Sequence, residues 1–214
     1  MKRAVYTVLF GDKSEYTLKE PKIISNGWDH ICFTDRTNLK SDIWTIKIVE
    51  TKDDYNRQSR TIKILNEEYL PDYDMSIYID SKFVIKTDLT AFSRVNMIKD
   101  FTVMRHNKRD CLFKEAQFIL NSNIVSKKEK AIIKNQIIRY TKLRMYRGYG
   151  LWAPGIMLRK HGVNALSKMM YDWHEEITNY SYRDIISLPY VMCLNPEVSI
   201  GEMDFKLTYN LFSG

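Results

Sequence analysis

The sequence has few cysteines, no long apolar stretch and no low-complexity segment, and each absence excludes a class of protein. The three cysteines among 214 residues, Cys32, Cys111 and Cys193, are too few and too scattered for a disulfide framework or a zinc cluster. No segment approaches the roughly 18 uninterrupted apolar residues of a membrane span. The first residues, MKRAVYTVLFGD, lack the small-residue cleavage site of a signal peptide and are typical of a strand. We therefore expect a cytoplasmic protein with no membrane span.

The composition predicts one folded domain over residues 1–214. Hydrophobic residues make up 44% and aromatic residues 13% of the chain, which are ordinary values for a globular protein with a buried core. Neither an internal repeat nor an interdomain linker is visible, and the length suits a single domain.

The net charge of +7 raises the alternative of a nucleic-acid-binding domain, with the fourteen tyrosines stacking on bases. The densest basic stretch is residues 127–147, in which five apolar side chains recur at near-helical spacing: Ile132, Ile133, Ile137, Ile138 and Leu143. An amphipathic helix with a solvated basic face explains this pattern without a ligand. We therefore expect no nucleic-acid partner and keep that function as the alternative.

Apolar runs alternating with helical patterns predict an α/β protein with a mainly parallel sheet. The predicted strands are 4–10, 30–34, 44–49, 75–79, 101–104 and 156–158, and the predicted helices are 53–70, 111–120, 129–144 and 164–177. The tail from Asn195 has weak periodicity and receives no assignment.

In such a sheet, ligands bind outside the carboxyl ends of the strands, which is where Asp80 lies, after the run MSIYI. An aspartate in this position suits Mg²⁺ or Mn²⁺, or the ribose of a nucleotide. The cations Arg57, Arg60 and Lys63 lie on one predicted helix and match phosphate oxygens. A solvated helix face explains these three cations equally well, and the spacing leaves both interpretations open.

Three further groups of residues have a structural and a functional interpretation. The group His106, Arg109 and Asp110 follows a predicted strand, where it forms ion pairs or binds a donor sugar or an acceptor. The segment 152–155 (WAPG) predicts a rigid loop whose Trp152 stacks on a sugar or packs in the core. Asp184, at a predicted helix start, is a helix cap or a base near an acceptor.

The order of motifs resembles the TOD/MUCI type of glycosyltransferase-like domains, which are related to nucleotide-sugar transferases with the GT-A fold. The matching blocks are YTVLFGD (6–12), WDHICFTD (28–35), RQSRTIKILNEEYLPDYDMSIYID (57–80), RHNKRDCLFKEA (105–116), GLWAPGIMLRKH (150–161) and SYRDIISLPYV (181–191). Together these blocks span almost the whole chain. The chain also resembles the N-terminal glycosyltransferase domain of a larger chlorella-virus protein. That likeness implies further domains of the same polypeptide and a location in the host cytoplasm.

The resemblance implies a single GT-A (Rossmann-like) domain. It also implies transfer of a hexose or deoxyhexose from a UDP-sugar donor to a hydroxyl of a glycan or glycoprotein acceptor. We take Asp184, as the carboxylate nearest the acceptor, and His106 as the catalytic candidates. The donor-binding residues that it implies are Thr7, Phe10, Gly11 and Asp35 around base and ribose, Arg57, Arg60 and Lys63 near the diphosphate, and Asp80. To these donor-binding candidates we add Lys82, Arg109, Asp110, Trp152 and Gly155.

Lys82 departs from the metal-binding motif of related transferases, so the use of a metal ion stays open. Asp80 matches the first carboxylate of the Asp-x-Asp motif of related transferases, but Lys82 stands at the second position. An ammonium donates hydrogen bonds and cannot ligate Mn²⁺ or Mg²⁺, although it can neutralise a diphosphate. The sequence Asp72-Tyr73-Asp74 has the motif's spelling, but it precedes the strand and is expected at the wrong end of the sheet. Lys82 is also consistent with a further alternative, in which the chain is a catalytically inactive relic of the fold that binds sugar.

Overall fold

A computed structural model describes residues 1–11, 17–51 and 54–213 of the chain. Its strands are β1 (Arg3–Leu9), β2 (Asp29–Thr34), β3 (Thr45–Ile48), β4 (Met75–Ile79), β5 (Phe101–Arg105), β6 (Trp152–Lys160) and β7 (Ile200–Met203). These seven strands form one sheet in the order β3-β2-β1-β4-β6-β5-β7, in which β6 is antiparallel to both neighbours and every other pairing is parallel. The predicted mixed, mostly parallel α/β sheet is confirmed.

Helices cover both faces of the sheet. They are α1 (Tyr55–Ile64), α2 (Asn66–Tyr69), α3 (Leu89–Asn96), α4 (Leu112–Leu120), α5 (Lys127–Lys142), α6 (Asn164–Asn179), α7 (Asp184–Leu194) and α8 (Phe205–Phe212). Successive side chains of a strand point to opposite faces, so Val5 belongs to a core cluster that includes residues of α3 and α8, while Tyr6 belongs to one that includes residues of α1 and α6. Because both faces are buried, the central strands β1 and β4 carry buried side chains on both faces rather than alternating buried with exposed ones.

The strand directions define the edge at which a ligand is expected. Six strands point the same way, so their carboxyl ends meet at one edge of the sheet together with the amino end of β6. We call this the carboxyl edge. Asp35, Asp80 and His106 directly follow β2, β4 and β5 and therefore lie there.

The helix expected over residues 53–70 is divided into α1 and α2. Asp53 lies outside the described residues, and α1 begins at Tyr55, after Asp54 caps it by accepting from the N–H groups of Asn56 and Arg57. The helix ends at Leu65, whose ψ of 49° leaves the helical region. Arg159 Nη1 donates a hydrogen bond of 3.0 Å to the carbonyl of Ile64. In a continuous helix this carbonyl would accept from a backbone N–H of the next turn instead.

The segment 152–155 is part of strand β6, so the expectation of a loop there was wrong. The pairing of β6 with β5 shifts register between Val103 and Met104, which marks a β-bulge. Pro154 lies in this irregular stretch, where a missing N–H costs the sheet little. Glycine and proline therefore mark a bulge here and not a turn.

Other elements also differ from the expectation. The unassigned tail forms β7 and α8, and α3 was not predicted. In α5, Ile133 and Tyr140 are buried, whereas Ile138 and the C-cap residue Leu143 are each 54% exposed. The buried stripe of α5 instead includes Gln136, which donates to Glu176 of α6, so a polar network replaces part of the expected apolar face. Among the described residues, no helix has the length and apolarity that crossing a membrane requires.

Candidate functional site

Asp80 lies at the carboxyl edge between two ammonium groups. Its Oδ1 accepts a hydrogen bond of 2.8 Å from the Tyr78 hydroxyl and lies 3.7 Å from Lys63 Nζ. Its Oδ2 lies 3.8 Å from Lys82 Nζ. Strand β6 fixes the backbone of this residue, because the Asp80 N–H donates to the carbonyl of Gly155 in that strand at 2.8 Å. Both carboxylate oxygens therefore face a cation.

Gly155 of β6 provides the space that the Asp80 side chain occupies. A methyl group at Gly155 would lie 3.0 Å from Asp80 Oδ2 and 3.1 Å from the ring of Phe83. Contacts this short force the neighbour to move, so a side chain here displaces the carboxylate. The sequence placed Gly155 at the donor site, and the structure brings it against Asp80.

Behind Asp80 lies a second ion pair, Lys63 with Asp184, which we call the inner pair. Lys63 Nζ donates to Asp184 Oδ2 at 2.6 Å, and the two side chains are 4% and 9% exposed. Arg60 Nε lies 3.9 Å from the same oxygen. The structure therefore gathers side chains from α1, from the start of α7 and from the segment after β4 into one cluster: Arg60, Lys63, Lys82, Asp80 and Asp184.

Hydrogen bonds from the sheet hold the last turn of α1 in place and so fix the position of Lys63. The Lys63 carbonyl accepts from the Tyr6 hydroxyl at 2.8 Å and from Arg159 Nη2 at 2.8 Å. Arg159 also donates to the Tyr6 hydroxyl, and this arginine is 1% exposed. Arg159 also donates to the carbonyl of Ile64 at 3.0 Å, so two carbonyls at the end of α1 are bonded to one buried guanidinium. Sequence analysis did not single out Tyr6 or Arg159, because each lies within a run of residues that is typical of a strand.

The charges around Asp184 keep it ionised. Burial acts to raise the pKa of this carboxyl, but Lys63 and Arg60 outweigh it and lower the pKa to about 2. Asp184 in turn raises the pKa of Arg60 against the opposing effect of burial. A carboxylate with so low a pKa, nearly enclosed, is a weak proton acceptor, and its geometry suits the fixing of two cations.

The solvent-facing members of the cluster are Lys82, Asp80 and Arg60, whose side chains are 66%, 31% and 26% exposed. Lys63 and Asp184 lie beneath them. Three cations face two carboxylates, so the five residues together carry one net positive charge. An exposed site with this balance attracts an anion.

The oxygen ligands available around Asp80 do not fit the divalent cation that the resemblance implies. Mg²⁺ and Mn²⁺ need several oxygen ligands, usually including carboxylates that are free to bind. Asp80 has a cation beside each oxygen, and the oxygen of Asp184 nearest the cluster is bonded to Lys63. Within residues 1–11, 17–51 and 54–213, no group of three or more His, Cys, Asp and Glu side chains is placed to hold a metal ion.

The ends of β1 and β2 form a second part of the carboxyl edge. Gly11 has a positive φ of 76°, and its N–H donates to both oxygens of Asp35, at 3.0 and 3.2 Å. Phe10 is half-buried beside it, whereas Thr7 lies inside the sheet and is 1% exposed. Tyr55, which the sequence did not single out, is 52% exposed and lies 3.7 Å from the position of a Gly11 side chain.

Arg57 lies apart from Arg60 and Lys63 although all three share α1. Its guanidinium donates to the carbonyls of Ile177, Thr178 at 3.1 Å and Tyr180 at 2.8 Å, at the end of α6. Arg57 therefore satisfies the last carbonyls of a neighbouring helix.

His106, Arg109 and Asp110 form a local network after β5. His106 Nδ1 accepts from the N–H of Arg109 at 3.0 Å, which places the ring proton on Nε2. Burial lowers the pKa of His106, so the imidazole is neutral at pH 7. Arg109 pairs with Glu115, and Asp110 is bonded to Lys114 at 2.8 Å on the surface.

Trp152 is packed into the protein. The residue is 5% exposed, its Nε1–H donates to Glu202 at 2.9 Å, and the Arg105 guanidinium lies 4.9 Å from the ring centre. The structure thus leaves little of this ring free to stack on a sugar.

The sequence Asp72-Tyr73-Asp74 lies at the other edge of the sheet, as expected. Asp74 directly precedes β4 and accepts from the backbone N–H of Lys2 at 2.5 Å. It therefore has no part in the cluster at Asp80.

The family model for the TOD1/MUCI70, glycosyltransferase-like domain matches residues 3–212, nearly the full length of the chain. No curated protein matches the chain.

Proposed function

The chain belongs to the TOD1/MUCI70 glycosyltransferase-like family, and from this premise we propose that it moves a sugar from a UDP-sugar to a hydroxyl group of a glycan. The glycosyltransferase role and the Rossmann-like GT-A architecture follow from the family and the sheet. The observation that carries the proposal further is the net positive cluster around Asp80 at the carboxyl edge. Ligands of open α/β sheets bind at this edge.

The cluster suits a leaving diphosphate. In the transfer, the acceptor oxygen bonds to the anomeric carbon, the bond from that carbon to the diphosphate oxygen breaks, and its electron pair stays on the diphosphate. The acceptor proton is released to solvent. Lys82 and Arg60 reach the solvent side, where their charges stabilise the negative charge that develops on the leaving group.

The inner pair positions these groups rather than reacting. Asp184 is nearly enclosed and its pKa is about 2, so we assign it the orientation of Lys63 and Arg60 instead of the role of acceptor base. His106, with its ring proton on Nε2, is a donor to a sugar oxygen in this scheme and not a base.

The nucleoside has a place beside the diphosphate, at the ends of β1 and β2. Tyr55 offers an exposed ring for a uracil base, and Gly11, which is bonded to Asp35, lies beside that ring. Aromatic stacking on a base is worth about 1–3 kcal/mol in nucleic-acid complexes. The hexose or deoxyhexose and the glycan or glycoprotein acceptor rest on the family resemblance.

Calorimetric titration with UDP, UDP-sugars and a single-stranded oligonucleotide tests this proposal, each in Mn²⁺ and in EDTA so that the metal does not decide the result. We expect saturable UDP binding that weakens about tenfold or more in Arg60→Gln, since a hydrogen bond to a charged group contributes about 1.5–3 kcal/mol. Arg94→Gln, at an exposed arginine on α3, is the matched control and is expected to bind like the wild type.

Two results would contradict the proposal. Salt-sensitive oligonucleotide binding with no response to any UDP compound would favour the nucleic-acid alternative. UDP-sugar binding without release of UDP in the presence of glycan acceptors would favour an inactive sugar-binding domain.

A further inference from the structure

We infer that the diphosphate is neutralised by the ammonium group of Lys82 and not by a divalent metal ion. This inference rests on the proposed function, because it concerns the same diphosphate at the same cluster. It departs from the Mn²⁺ or Mg²⁺ that the resemblance implies, and it depends on three features of the residues present.

The first feature is the charge already beside Asp80. A cation placed on Oδ1 would lie near Lys63 Nζ, now 3.7 Å from that oxygen, and one on Oδ2 would lie near Lys82 Nζ, now 3.8 Å away. Positive charges this close to each other repel, even near a protein surface. A divalent ion doubles this cost, whereas a diphosphate reverses its sign.

The second feature is the lack of a free partner carboxylate. Asp184 is the nearest other carboxylate of the cluster, but it is 9% exposed and bonded to Lys63 at 2.6 Å. Recruiting Asp184 to a metal would leave the Lys63 ammonium, 4% exposed, without its close partner. Breaking a buried ion pair is costly, so one carboxylate is all that the cluster can offer.

The third feature is the freedom of Lys82. Its side chain is 66% exposed, and its distance of 3.8 Å to Asp80 exceeds that of a hydrogen bond. Moving this ammonium onto a phosphate oxygen therefore breaks no hydrogen bond to Asp80. The side chain already leans over the Phe83 ring, with Nζ 5.2 Å from its centre. Lysine binds phosphate as a mobile point charge, which matches this setting.

Titration with UDP in EDTA and in Mn²⁺ tests the inference on four proteins: the wild type, Lys82→Ala, Lys82→Asp and Lys128→Ala. We expect the wild type to bind UDP in EDTA within about twofold of its affinity in Mn²⁺. In EDTA, the affinity of Lys82→Ala for UDP is expected to be lower than that of the wild type by about tenfold or more. Lys82→Asp places carboxylates on both sides of Ser81, as in an Asp-x-Asp motif. Its UDP binding is therefore expected to vanish in EDTA and to return with Mn²⁺. Lys128→Ala, at an exposed lysine of α5, controls for the loss of one charge.

The outcomes separate the two proposals. Wild-type binding that requires Mn²⁺ and disappears in EDTA would overturn the metal-free inference and leave the donor site standing. Metal-independent binding that Lys82→Ala does not weaken would overturn the role of Lys82. No UDP binding by the wild type in either condition would overturn the proposed function itself. Urea denaturation of each variant shows whether a lost signal reflects unfolding.

Discussion

Lys63 and Lys82 lie at almost the same distance from Asp80, 3.7 and 3.8 Å, yet their settings are opposite. Lys63 is 4% exposed and bonded to Asp184, whereas Lys82 is 66% exposed. A buried ammonium must keep its partner, while an exposed one is free to exchange a carboxylate for a ligand. Burial, and not charge or proximity, therefore separates the lysine that holds the cluster together from the lysine that we propose binds the substrate.

The largest effect that tests this contrast is on stability. Lys63→Met leaves Asp184 buried without its close cation, and we expect a loss of about 3–5 kcal/mol in the free energy of unfolding. Adding Asp184→Leu removes the uncompensated charge, so the double variant is expected to be more stable than Lys63→Met alone. Urea denaturation measures all three proteins. A single variant as stable as the wild type would show that the inner pair is not structural.

A smaller effect is expected from acid. The pKa of Asp184 is lowered from 3.8 to about 2, so its contribution to stability is complete above about pH 4 and is lost as the pH falls through about 2. The wild type should exceed Asp184→Asn in unfolding free energy by a margin that shrinks by about 2 kcal/mol between roughly pH 5 and pH 2. Urea denaturation at stepped pH gives this margin. A margin that stays constant with pH would mean that the charge of Asp184 is not what stabilises the fold.

The smallest effect is expected at the exposed lysine. Lys82→Ala should change the unfolding free energy by less than about 0.5 kcal/mol, because its contact with Asp80 is exposed to solvent. Thermal and urea denaturation beside Lys63→Met measure this directly. A loss comparable to that of Lys63→Met would remove the distinction between the two lysines.

The elements that the sequence predicted well are those with unambiguous apolar runs. MSIYI is buried on both faces as β4, and its position alone placed Asp80 at the carboxyl edge. The failures have local physical causes. Pro154 and Gly155 are typical of loops, but the bulge against β5 accommodates them within a strand. The tail was missed because β7 is short and only partly buried, so it carries a weak pattern.

Helical spacing grouped the site's cations correctly only in part. Arg57, Arg60 and Lys63 recur at intervals of three residues, but Arg57 reaches the end of α6, which lies far along the chain. The pairing of Lys63 with Asp184 joins residues 121 positions apart, so no local pattern could show it. The same holds for the burial of Trp152, which depends on Glu202 and Arg105 from neighbouring strands.

A crystal structure of the chain with UDP tests the central claim most directly, namely that the cluster around Asp80 binds the diphosphate of a nucleotide sugar. The account predicts the diphosphate at the carboxyl edge, with phosphate oxygens within hydrogen-bonding distance of Lys82 Nζ and the Arg60 guanidinium, and with the Lys63–Asp184 pair unbroken. UDP bound away from these residues, or a diphosphate that contacts Lys63 after separating it from Asp184, would contradict it.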